Sequence, residues 1–159
     1  MNGRDETPDE RADRNWSELV QELRVAQTGI QVLAGFLLTL PFSQRFAAIS
    51  ELHQAMYLVA FSLAIITIGL MTAPVALHRF LFAKHKKQTL VRVGAFFAKS
   101  GMASLGLTLV TVVVLIFGVV VNDVAGFVAG GLVFTFYTLG WVVLPLVLLR
   151  GTATDSPSS

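Results

Sequence analysis

Apolar residues run along this chain in long blocks, and polar residues gather between the blocks instead of alternating with them. From Trp16 the apolar positions Trp16, Leu19, Val20, Leu23 and Ala26 keep helical spacing, with Ser17, Glu18, Gln21, Glu22 and Arg24 on the other side. Asn15 can cap this start, and Glu18, three residues on, can reach back as in a capping box. The pattern predicts a short interfacial helical extension, with Trp16 at headgroup level, that runs directly into an apolar segment. A membrane helix needs about 20 apolar residues to cross roughly 30 Å of hydrocarbon. Four segments qualify, at about 25–42, 55–77, 94–121 and 124–149.

The stretches outside these spans differ in kind. Residues 1–14 are charge-mixed, contain Pro8 and bury little apolar area, so they read as a disordered tail; residues 151–159 read as a second. Residues 15–150 then form one four-span transmembrane domain. Only Asn122 and Asp123 separate spans three and four, which makes them antiparallel neighbours in a tight hairpin. The expected fold is therefore all-α, an integral membrane four-helix bundle.

Composition agrees. Of 159 residues, 54% are hydrophobic and 14% charged, against about 25% charged in soluble domains, and mean hydropathy is +0.69. Eleven of the 12 Lys and Arg residues fall in the N-terminal segment, the 78–93 loop, Lys99 and Arg150, leaving Arg45 alone on the other face. Basic residues stay cytoplasmic, so both termini are expected inside, at the inner (plasma) membrane. The net charge of +2 reflects juxtamembrane lysines and arginines that meet anionic lipid headgroups, not nucleic acid, for which no recognition module is visible.

Candidate chemistry is sparse. The absence of cysteine removes disulfides, thiolate metal sites and cysteine nucleophiles. His53, His78 and His85 are scattered without acid-rich spacing, so no metal and no cofactor is expected. A Ser/His/Asp arrangement, a phosphate loop and a dinucleotide glycine pattern are not visible, and the chain is not expected to be an enzyme. No Asp or Glu falls near the middle of a span, where an ion-coupled antiporter would need one.

The polar intramembrane or interface candidates are Glu22, Arg24, Gln27, Gln31, His78 and Arg79. Gln27 and Gln31, four residues apart, share one face of span one; hydrogen bonding to neighbouring helices is the favoured reading. In the basic second loop Lys84, Lys86, Lys87 and Arg92 are the candidates for lipid or partner contact, and Glu18 or Glu22 could pair with them or with Lys99. Small residues predict close helix packing: Gly101, Ser104, Thr108, Thr111 and Gly118 on span three, Gly126 and Gly130 on span four. The pattern leaves open whether the glycines meet the same chain or another copy. Pro74 and Pro145 should kink their spans, because each ring clashes with the carbonyl four residues earlier, at Leu70 and Trp141.

Asn15-Trp16, the run Gln21–Gln31, Gly35–Phe42, Arg45-Phe46, and Ala73–Ala76 followed by His78-Arg79 resemble a family of small four-span actinobacterial membrane proteins of unknown function, whose members often carry the label sodium:proton antiporter. The resemblance covers roughly residues 15–150. It implies that Glu22, Arg24, Gln27, Gln31, Pro41, Arg45, Pro74, His78 and Arg79 are the positions to test, and gives none of them a role. The functional expectation is a non-catalytic membrane component that forms a homo-oligomer or joins a larger membrane complex. The alternative is a small-ion transporter or channel of the antiporter type.

Overall fold

In hydrocarbon a backbone N–H or C=O without an internal partner costs several kcal/mol, so long apolar runs close their backbones as helices. The computed structural model describes residues 8–81 and 87–151. These form α1 (Pro8–Thr39), α2 (Glu51–Leu81), α3 (Lys87–Val120), and α4 (Asp123–Thr138), which continues through a π-helical turn (Leu139–Val143) into α5 (Leu144–Gly151). Two short 3-10 turns, Leu40–Phe42 and Phe46–Ala48, join α1 to α2. Four helices are long and apolar enough to cross a membrane: Asp13–Phe42, Glu51–Leu77, Val91–Val120 and Asp123–Arg150, the last combining α4, the π turn and α5.

The helices overrun the apolar segments read from the sequence, most of all at the start of α1 and at both sides of the 82–86 segment. α1 begins at Pro8, ahead of the expected cap at Asn15, and includes residues 8–14 of the stretch read as disordered. Pro8 suits a first helical position, since its missing N–H has no intrahelical partner there and its φ is preset. Glu10 and Asp13 put negative charge at the positive end of the helix dipole. The expected interfacial extension is thus the lower part of one continuous helix. Residues 1–7 and 152–159 lie outside the described residues.

Contacts at successive levels fix the topology. The Trp16 ring lies on Gly94, where an added Cβ would sit 2.7 Å from Cζ3. Gln27 reaches Met71, and a Cβ on Gly101 would meet Met71 Cγ at 2.9 Å. Tyr57 reaches the Leu37 carbonyl, and His53 lies against Gly118. Helices α1 and α3 therefore run one way and α2 and α4 the other. Both described ends of the chain lie at one end of the structure, with the 40–50 turns and Asn122 at the other.

The core is formed by three helices, with α2 and α3 packed most closely and α1 against both. Ile30, Ala34 and Leu37 of α1, Tyr57, Ala60, Ala64 and Met71 of α2, and Ala98, Val112 and Leu115 of α3 are buried together. α4 leans on α3, and in α4 and α5 the buried residues are Gly126 and Gly130. The expected bundle is thus a three-helix core with a fourth helix alongside. Pro74 sits inside α2 without ending it. Near Pro145 the local distortion is the π turn, in which the Leu144 N–H bonds to the carbonyl of Leu139.

Candidate functional site

Between the core helices, the polar side chains are committed to holding one helix to another. The Gln27 amide donates to the Met71 carbonyl at 2.7 Å. That carbonyl is one residue beyond Leu70, whose helical donor position is occupied by Pro74, so the amide ties α1 to the turn of α2 that the proline disturbs. A Gln27→Leu change should therefore cost about 1 kcal/mol of stability, measured by unfolding in mixed micelles, because such interhelical bonds contribute about 0.6–2 kcal/mol.

The Tyr57 hydroxyl donates to the Leu37 carbonyl at 3.1 Å. Residue 41, the ordinary helical donor to that carbonyl, is a proline, so the tyrosine fills a place the backbone leaves open. Phe46 packs edge-on against the Tyr57 ring, with centroids 4.9 Å apart.

Deeper between α2 and α3, Thr67 Oγ1 lies 2.7 Å from both the Leu63 carbonyl and Ser104 Oγ, and 3.4 Å from Thr108 Oγ1. Thr108 donates in turn to the Ser104 carbonyl at 2.8 Å. Ser104 and Thr108 belong to the small-residue face read from the sequence. Their partner Thr67 was not singled out there; a hydroxyl one helical turn after Leu63 is no signal until its facing helix is known.

At the other end, Ser50 precedes α2 and accepts from the His53 backbone N–H at 3.3 Å, an N-cap contact. Its Oγ also lies 2.6 Å from His53 Nδ1, and His53 Nε2 lies 3.2 Å from Asp123 Oδ1. Gly118 makes room for the ring, since a Cβ there would meet Nε2 at 2.7 Å. A Ser–His–Asp set thus exists that the sequence reading did not find. The serine hydroxyl is engaged by the cap and by the imidazole, so the set ties the start of α2 to the α3–α4 hairpin. Its legible signal was the two-residue hairpin connection, which brings Asp123 to the end where α2 begins.

The other expected site residues are dispersed. Glu22 and Arg24 are exposed on α1, and Arg92 is exposed on α3. Glu18 lies 3.9 Å from Arg14, an exposed pair of the kind that contributes about 0–1 kcal/mol. Among the described residues, Glu22 makes no ion pair with Arg92 or Lys99. His78 and Arg79 fall near the end of α2 and Lys87 opens α3, with their side chains outside the described residues, as are Lys84 and Lys86 altogether. No three His, Asp or Glu side chains converge among the described residues.

Gly126 and Gly130 pack within the chain. A Cβ at Gly126 would lie 2.6 Å from the Val114 carbonyl oxygen and 2.9 Å from the Gly118 nitrogen, while one at Gly130 would collide with the Val114 side chain. Further along the same pair of helices, Gly106, Val110, Phe134, Tyr137 and Trp141 line an apolar groove of about 360 Å³.

Gln31 stands apart from the rest. It is exposed on α1, away from the core face, and makes no hydrogen bond among the described residues. It lies 11 residues before Phe42, about 16 Å along the helix, and were α1 to span a roughly 30 Å hydrocarbon core that would be about half way through it. An amide left unpaired at that depth costs roughly 2–7 kcal/mol. The two glutamines read as one polar face thus divide: Gln27 turns into the core and Gln31 out of it.

The chain belongs to a family of unknown function (DUF6328), which it matches over residues 5–145. No curated protein and no solved structure matches it.

Proposed function

We propose that this family member is a non-catalytic, accessory or oligomerising component of the inner membrane, inserted with both termini in the cytoplasm and resting its basic 78–93 segment on anionic lipid. The observation that carries the reading is how the polar groups are distributed. Gln27, Tyr57, Thr67, Ser104 and Thr108 are used in joining α1, α2 and α3, so these interior polar groups serve cohesion. Gln31, without a hydrogen bond among the described residues, faces outward, where another membrane component can meet its amide.

Purification from native membranes in mild detergent, followed by mass spectrometry, tests the reading. Stoichiometric recovery of a second membrane protein or of a defined oligomer is expected, together with reconstituted vesicles that hold sodium and proton gradients. A monomer recovered alone overturns it. So do vesicles whose gradient collapses and is restored by Gln27→Leu, the result that would favour the antiporter-type transport implied by the resemblance.

A further inference from the structure

We infer that the outer face of α1 is a self-association seam, on which a second copy of this chain docks in parallel through paired Gln31 amides. This rests on the oligomerising form of the proposed function and names its interface. The seam follows from spacing. Gln21, Arg24, Thr28, Gln31 and Gly35 succeed one another at intervals of three and four, the repeat that keeps one stripe of a helix facing a partner helix. All five are exposed; the buried residues Leu23, Ile30, Ala34 and Leu37 form the core face, and the stripe starts at its edge with Gln31 and turns away from it towards Gln21. The core thus takes one face of α1, and this polar and small-residue stripe is left outside it beside the exposed Val25, Val32 and Phe36.

Three features choose the occupant. Acyl chains can cover Val or Phe but offer nothing to an amide, so whatever covers Gln31 must bring a hydrogen-bonding group to the same depth. A second copy does so automatically: the strong basic bias predicts one orientation for every molecule, and identical helices place identical residues level with each other. The amide is also self-complementary, since each carries a carbonyl acceptor and two N–H donors, so a two-fold pair can close with two reciprocal bonds.

The surroundings permit the approach. A Cβ at Gly35 would have nothing within 4 Å, so the backbone is open to a partner one turn above Gln31. The Thr28 hydroxyl is turned back to the Arg24 carbonyl at 3.0 Å, which leaves its methyl group on the seam. Arg24 lies 18 residues before Phe42, about 27 Å along the helix, where its guanidinium reaches the headgroups instead of facing its counterpart in hydrocarbon.

The absence of cysteine from the chain makes the test clean. Purified protein carrying Thr28→Cys or Gly35→Cys is reconstituted in phosphatidylcholine–phosphatidylglycerol vesicles and oxidised. Val32→Cys and Phe36→Cys, on the neighbouring exposed face, serve as controls. Disulfide-linked dimer is expected at the two seam positions well above the controls. Adding Gln31→Leu should lower dimer formation about tenfold, the equivalent of losing one or two interhelical hydrogen bonds, while Gln31→Asn keeps most of it. Helical circular dichroism of each variant shows that the monomer fold is retained.

Cross-linking equal at seam and control positions overturns the inference, as does a dimer indifferent to Gln31→Leu. Capture of a different protein at Thr28→Cys in native membranes assigns the seam to another partner and also overturns it. That last result would leave the accessory reading standing. A dimer in vesicles that leak ions would do the reverse.

Discussion

Gly126→Val should open the α3–α4 hairpin and cost about 3 kcal/mol or more, the upper range for forcing atoms into a filled contact. The size of the effect follows from what the new atom meets. A Cβ at Gly126 would lie 2.6 Å from the Val114 oxygen and 2.9 Å from the Gly118 nitrogen, both backbone atoms of a helix with no side chain to swing aside. The helices must separate, and Asp123 then withdraws from His53. Gly131→Val is the matched control: it makes the same change one position beyond Gly130, where nothing lies within 4 Å, and should stay within about 0.5 kcal/mol of the parent. Unfolding in mixed micelles followed by tryptophan fluorescence reads both. With Trp16→Phe in place, Trp141 is the remaining tryptophan and reports on the hairpin itself.

The second large effect is a coupling. Tyr57→Phe keeps the buried ring and removes the hydroxyl that serves the Leu37 carbonyl, leaving an acceptor unpaired in an apolar setting at a cost of about 1–3 kcal/mol. That cost exists because residue 41 is proline. Pro41→Ala restores a backbone N–H within reach of Leu37, so Tyr57→Phe in the Pro41→Ala background should cost less than half as much. A double-mutant cycle over the four proteins measures the difference. Equal costs in both backgrounds would show that Tyr57 is held by its packing against Phe46 and Phe61 and not by the carbonyl.

The helices were legible in the sequence because hydrocarbon leaves few other ways to satisfy a backbone, and the residues that matter most for packing were legible as small ones. Gly126, Gly130, Ser104 and Thr108 all lie at helix contacts. What the sequence left open was partnership. The GxxxG of α4 fits a second copy as well as it fits Val114 and Gly118 of the same chain, and spacing does not choose between them. The lone packing of α4 was likewise invisible, since Val128 or Leu132 has the same hydropathy whether its neighbour is a helix or a lipid. Gln27 and Gln31 were read together because they are one helical turn apart. They separate because the edge of the core falls between them, a boundary set by where α2 lies. The His53–Asp123 pair joins residues 70 positions apart, and it needed the register of α2 against the hairpin.

The way the final helix attaches bears on how the chain is built at the ribosome. α1, α2 and α3 can satisfy one another while α4 is still being translated, so the first three spans can settle as a unit. α3 then waits with one flank bare, its Gly118 and Val114 presented as a track. The two-residue turn returns α4 onto that track, so its arrival is a docking step and not a rearrangement.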